Sequence, residues 1–131
     1  MFRLLLLIVL LAACGDDEPR PEPTPIGPPA GSTDLEWGEQ LFQSQGCFAC
    51  HRIDGGPSVG PALNGVAGES RTLPDGRTVV VDADYLREAL TEPEAVRVPG
   101  YEGTVMPTYE LAPAQLDALI GYLQSLSVMA R

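Results

Sequence analysis

Cys47, Cys50 and His51 bring two thiols and an imidazole within five residues, in the run Cys47-Phe48-Ala49-Cys50-His51. Two cysteines spaced by two residues and followed at once by histidine form the C-x-x-C-H pattern of covalent c-type haem attachment. Each thiol adds across one vinyl group and fixes the macrocycle to the chain. The adjoining imidazole is then held beneath the iron and can supply an axial nitrogen. His51 is the only histidine in the chain, so no other imidazole competes for that place. A cysteine pair of this spacing also serves as a redox dithiol or as half of a zinc site. The dithiol reading needs strands alternating with helices, and residues 35–60 carry no such pattern. The zinc reading needs further Cys or His ligands, and the one remaining cysteine, Cys14, has a different setting.

A second axial ligand must come from elsewhere. The chain has three methionines: Met1, Met106 and Met129. Met1 opens a leader-like segment, and Met129 falls past the last expected helix. Met106 sits in Gly103-Thr104-Val105-Met106-Pro107, an irregular stretch between helices. Its thioether is expected on the iron face opposite His51, with Pro107 restricting the Met106 backbone to an extended form. Met/His ligation raises the reduction potential and suits electron transfer. The carbonyl of Pro61 is the candidate acceptor for the other ring N–H of His51, which would fix its tautomer.

These side chains need a scaffold. Thr33 and Glu36 form a capping box that opens a helix over about 34–45, with Trp37, Leu41 and Phe42 facing inward. Gly46 closes it just before the haem motif. Gly38 inside this helix costs about 1 kcal/mol against alanine. Close contact with another helix, with Tyr122 as the partner, would justify it. Residues 54–68 are rich in Gly and Pro and read as a loop. The run Thr72-Leu73-Pro74-Asp75-Gly76-Arg77-Thr78 is a turn signal ahead of three valines, so a short β-hairpin is expected over about 70–81. Asp82 caps a helix over about 83–91, carrying Tyr85, Leu86 and Leu90, and Glu92-Pro93 stops it. Pro113 starts a last amphipathic helix to about 127, built on Leu116, Leu119, Ile120, Leu123 and Leu126.

The N-terminus points outside the cytoplasm. Arg3 is followed by an apolar run to Ala13, shorter than the about 20 residues that span a bilayer as a helix. This fits an export signal over 1–13. The end Leu11-Ala12-Ala13-Cys14 reads as a lipoprotein cleavage site that leaves lipid on Cys14. Residues 14–33 then form a proline-rich linker, extended and solvated, reaching about 50–60 Å at full stretch. The remaining span, 34–131, is the size of one small domain. A buried haem would add a large apolar surface to its modest core.

The chain carries 18 acidic residues against 8 arginines and no lysine, a formal net charge of -10. Nucleic acid and anionic surfaces are poor partners for such a charge, and a basic patch on a redox protein is a good one.

Taken together, the motif and the segments Arg71-Thr72-Leu73-Pro74-Asp75-Gly76-Arg77, Tyr85-Leu86-Arg87-Glu88-Ala89-Leu90, Pro93-Glu94-Ala95, Pro99-Gly100-Tyr101-Glu102-Gly103-Thr104-Val105-Met106-Pro107 and Leu119-Ile120-Gly121-Tyr122-Leu123 resemble class I mono-haem cytochromes c. The stretch is most similar to the cytochrome c domain fused to subunit II of bacterial haem–copper oxidases. The resemblance covers about residues 35–127. It implies an all-α fold of three to four helices around one covalent haem c, with a short β-hairpin insertion. It also implies axial ligation by His51 and Met106 and an electron-carrier role rather than an enzyme. Upstream of residue 34 nothing corresponds to an oxidase copper domain, so the domain is expected alone on a lipid tether, with an oxidase, a reductase or a quinol-oxidising complex as partner. Bacterial c-type haem is attached outside the cytoplasm, so the domain is expected to face the periplasm or the cell exterior.

Two other readings stand beside this one. In a haem-based binding or sensing module, Met106 would be displaced by a gas or would not ligate. In a haem-free lipoprotein, Cys47 and Cys50 would act as a dithiol. Arg71 and Arg77 are candidates to pair with the haem propionates.

Overall fold

The computed structural model describes residues 27–129. The expected lipid-bearing Cys14, the export signal and the linker as far as residue 26 lie outside the described residues. Three helices and one hairpin follow in chain order: α1 (Asp34–Ser44), β1 (Ser70–Thr72), β2 (Thr78–Val80), α2 (Ala83–Thr91) and α3 (Pro113–Met129). Short 3₁₀ turns lie at Cys47–Ala49 and Pro93–Val96. The all-α class with a small hairpin is the architecture expected from the sequence.

The capping box of α1 is formed. Glu36 N–H donates to Thr33 Oγ1 at 3.3 Å, and Thr33 N–H donates to Glu36 Oε2 at 2.7 Å. The Thr33 N–H and the Thr33 hydroxyl both donate to Glu36 Oε2 and hold that carboxyl below its usual range. Such a cap is worth about 1 kcal/mol. Trp37, Leu41 and Phe42 are buried as their helical spacing requires. Gly46 ends the helix in the left-handed region, at φ 74°.

The α1–α3 crossing is the base of the fold. A Cβ on Gly38 would stand 2.2 Å from the Ala118 carbonyl oxygen and 2.7 Å from Tyr122 Cβ. Only glycine lets the two backbones approach this closely, which explains its place in a helix that it otherwise weakens. Beside the crossing, the Phe42 and Tyr122 rings pack with centroids 5.7 Å apart, a tilted aromatic pair. The five apolar residues expected on α3 are all buried. Met129 is the last residue of α3 rather than beyond it, because no glycine or proline follows Leu126 to break the helix.

The hairpin pairs Ser70 with Val80, Arg71 with Val79 and Thr72 with Thr78. Its turn is closed by Asp75, whose Oδ1 accepts the Arg77 N–H at 2.9 Å, and by Gly76 at φ 86°. The middle pair, Arg71 and Val79, is half-buried while its neighbours are exposed, so this face of the hairpin turns inward. Asp82 caps α2 by accepting the Tyr85 N–H at 2.9 Å. None of the described helices is long and apolar enough to cross a membrane.

Candidate haem site

The cysteine motif is shaped by its own backbone. The turn at Cys47–Ala49 is closed by Cys50 N–H and His51 N–H, which both donate to the Cys47 carbonyl. This turn was not legible as an element in the sequence. It is too short for a periodic pattern, yet it brings Cys47, Cys50 and His51 to one side. The loop that follows folds back on the motif. Gly60 N–H donates to the Cys50 carbonyl at 2.8 Å, and Leu63 N–H donates to the Arg52 carbonyl at 2.8 Å.

That return brings Pro61 to His51. His51 Nδ1 lies 2.8 Å from the Pro61 carbonyl oxygen. A carbonyl only accepts, so Nδ1 carries a proton, and in the neutral imidazole Nε2 is the nitrogen left with a lone pair. Gly60 presses against the flat of the ring: a Cβ there would lie 2.7 Å from His51 Cε1 and 3.0 Å from Nδ1. The packing role of Gly60 was missed in the sequence. One glycine among several in an irregular loop carries no signal for it.

Cys47, Cys50, His51, Pro61 and Met106 all line one cavity, which holds about 1240 Å³ of empty space including its open mouth. Its floor is apolar, built from Phe42, Leu86, Leu90, Leu119 and Leu123. Met106 reaches it from the irregular stretch between Val96 and Pro113 and is half-buried against the core. Arg97, Tyr101 and Tyr109 line the same cavity. No signal in the sequence singled them out. Arg71 also lines it. Arg77 does not, because its side chain is held by Asp75 at 2.6 Å and reaches toward the Ala95 carbonyl.

Burial pushes the Cys47 thiol above its ordinary range. A dithiol redox centre needs the opposite, a thiol depressed by a cation or a helix N-terminus. Among the described residues no group of three His, Cys, Asp or Glu side chains stands together to hold a metal ion. Burial also raises the Tyr109 phenol, which sits close to both cysteines.

The family model for cytochrome c matches residues 35–127. The chain belongs to the cytochrome c family. It is 31% identical over 94 residues to cytochrome c oxidase subunit 2 of Alkalihalophilus pseudofirmus, covering 70% of this chain and 25% of that protein. It is 43% identical over 63 residues to cytochrome c-551 of Bacillus subtilis, covering 48% of this chain and 54% of that one. The chain thus spans a quarter to about half of the length of these curated relatives. Among solved structures, cytochrome cH from Methylobacterium extorquens superposes with a TM-score of 0.52 at 31% identity, covering 71% of this chain and 99% of that chain.

Family membership brings covalent haem c as the cofactor, and the residues lining the cavity fit it. The cavity offers an apolar floor for a macrocycle, two cysteines at its wall, one imidazole nitrogen with a lone pair, and a thioether. As a cytochrome c domain of class I type, the fold is the one its sequence implied.

Proposed function

We propose that this chain is a membrane-tethered mono-haem cytochrome c that carries single electrons between respiratory redox partners. Cys47 and Cys50 would hold the haem as thioethers, and His51 Nε2 and the Met106 thioether would ligate its iron. The bound haem supplies a one-electron couple at its iron. The protein's own part is to bind, orient and exclude water. Pro61 holds the His51 ring in the tautomer that ligates, and Gly60 stops the ring from tilting. The single observation that carries this reading is the convergence of both cysteines, the tautomer-fixed His51 and Met106 on one apolar cavity.

Two filled axial positions favour electron transfer over the binding of small molecules. Lipid on Cys14 would hold the domain at a bacterial membrane with its face to the periplasm or cell exterior. The acidic charge of the chain supports a partner with a basic docking patch, such as an oxidase, a reductase or a quinol-oxidising complex.

The test is the optical spectrum of the protein made in a host competent for c-type haem maturation, oxidised and reduced, beside Met106→Ala. A methionine–iron charge-transfer band is expected in the wild type and absent from the variant. The variant, and not the wild type, is expected to take up carbon monoxide readily. A wild type that is already high-spin, or that binds carbon monoxide as readily as the variant, sinks the carrier reading and leaves the sensing module in its place.

A further inference from the structure

Met106 stands on an irregular part of the cavity wall, and the groups that face the cavity beside it limit what can replace it. The chain has no lysine and no second histidine. In the haem reading Cys47 and Cys50 are consumed by attachment. Glu94 is paired with Arg97, and an arginine does not ligate because it keeps its proton. The ionisable oxygens left on the cavity wall belong to three phenols, Tyr85, Tyr101 and Tyr109.

Two of these phenols are engaged elsewhere. Tyr85 is buried, with its hydroxyl 3.2 Å from Arg71 Nη1 and 3.5 Å from the Val96 carbonyl. Tyr101 is held by its backbone in consecutive turns. Its N–H donates to the Val98 carbonyl, and its own carbonyl accepts the Thr104 N–H. Tyr109 differs. It follows Met106 by three residues on the same irregular stretch, is half-buried and lines the same cavity. It is close to both Cys47 and Cys50, so the Met106 stretch meets the motif wall at this residue. Among the described residues its hydroxyl has no hydrogen-bond partner.

A tyrosine oxygen is a competent axial ligand of haem iron. We infer that Tyr109 is a reserve axial ligand: when the Met106 thioether leaves oxidised iron, the Tyr109 oxygen takes its place and holds the carrier in its oxidised form. The inference rests on the haem reading above and extends it to a residue outside both the motif and the Met106 position. In the exchange the bond from Met106 Sδ to iron breaks, the bond from Tyr109 Oη to iron forms, and the phenol proton passes to solvent. No electron moves. An anionic oxygen favours ferric over ferrous iron where a neutral thioether does not, so the exchanged form resists reduction.

A free phenol ionises near about pH 10, which puts the exchange in the alkaline range while Met106 competes. With haem attached, the two cysteines are uncharged thioethers. The charged groups facing the cavity are then Arg71, Arg97 and Glu94, and Glu110 beside Tyr109 is exposed. The two guanidiniums favour an anionic oxygen and outnumber the one carboxylate on the wall.

The experiment titrates the oxidised, haem-loaded protein from about pH 7 to about pH 11 and reads the iron ligands by absorption and resonance Raman spectroscopy. In the wild type the methionine–iron band is expected to give way to a phenolate–iron charge-transfer band with enhanced phenolate ring vibrations. In Met106→Ala no thioether competes, and the same signal should appear about one pH unit lower or more, at least about a tenfold shift in the proton-linked equilibrium. Adding Tyr109→Phe to either protein should remove the signal, and Tyr101→Phe should keep it. Should Tyr109→Phe fail to accumulate, the double variant Tyr85→Phe, Tyr101→Phe decides. A retained phenolate signal assigns it to Tyr109, the one phenol left on the cavity wall, and its loss overturns the inference. Hydroxide is the rival ligand, marked by an iron–oxygen stretch that shifts in heavy-oxygen water. Hydroxide in both wild type and Met106→Ala overturns the inference, as does a signal that survives Tyr109→Phe. Each of these negative results leaves the haem reading standing. A wild-type chain matured without covalent haem, or without a methionine–iron band at neutral pH, overturns that reading before any base is added.

Discussion

The two walls of the cavity are held in different ways. The His51 wall is over-determined. Its residues are packed into one 3₁₀ turn, its loop is hydrogen-bonded back to Cys50 and Arg52, and Gly60 and Pro61 fix the imidazole from two directions. The Met106 wall is an irregular stretch with few ties. Arg97 reaches Glu94 and donates to the Glu102 carbonyl, and Gly100 N–H donates to the Glu102 carboxylate at 2.9 Å. Thr104 N–H closes a turn to the Tyr101 carbonyl. On the proposed reading the labour is divided: the first wall would keep the cofactor, and the second would set what the iron can do. A loosely tied ligand wall is drawn from the low-stability end of a structure, where local opening costs least.

Two changes to the His51 wall should give the larger effects. Replacing both Cys47 and Cys50 with serine should abolish covalent attachment, read as loss of the haem-linked mass on denaturing separation. Retention of covalent haem would mean that the first wall is not the anchor. Gly60→Ala comes next. The added methyl has no room beside the ring, and overpacking of this kind costs about 1–3 kcal/mol. The expected outcome is a lower midpoint in denaturant unfolding, together with changed haem absorption because His51 must move. An unchanged midpoint would show that the wall is less tightly set than its contacts imply.

Much of this was legible in the residues, and the parts that were not share one cause. The motif was readable because thiol, thiol and imidazole at fixed spacing have few other uses. Helices α1, α2 and α3 were readable because Thr33, Asp82 and Pro113 mark their starts and apolar spacing marks their faces. Even the closeness of Gly38 to Tyr122 followed, since a glycine inside a helix needs a reason. What escaped was aperiodic. The turn at Cys47–Ala49 spans three residues, and the contact of Gly60 with His51 depends on a loop closing over nine residues. Arg71 and Arg77 looked alike in sequence. Strand alternation turned Arg71 inward, while the turn residue Asp75 kept Arg77 outside. Such differences arise from tertiary geometry, which local propensity does not encode.

The smallest expected effect sharpens the contrast between the walls most. Bonding to Gly100 N–H holds the Glu102 carboxyl below its ordinary range, with Arg97 adding to the effect. A carboxyl whose folded value is depressed contributes stability above its unfolded value, and that contribution is lost as pH falls through the folded one. Glu102 is exposed, so the tie is weak and salt-sensitive. Its loss should therefore loosen the Met106 stretch at pH below the ordinary glutamate value of 4.5 without freeing the covalently held haem. The expected result is a fall in the methionine–iron band on acidification, at a pH where the haem still remains attached and the helical signal persists. Glu102→Gln should weaken the band at neutral pH and remove the part of the acid dependence that comes from this carboxyl. If band and helical signal instead fall together in both proteins, the two walls open as one unit, and the Met106 stretch is no less stable than the wall that anchors the haem.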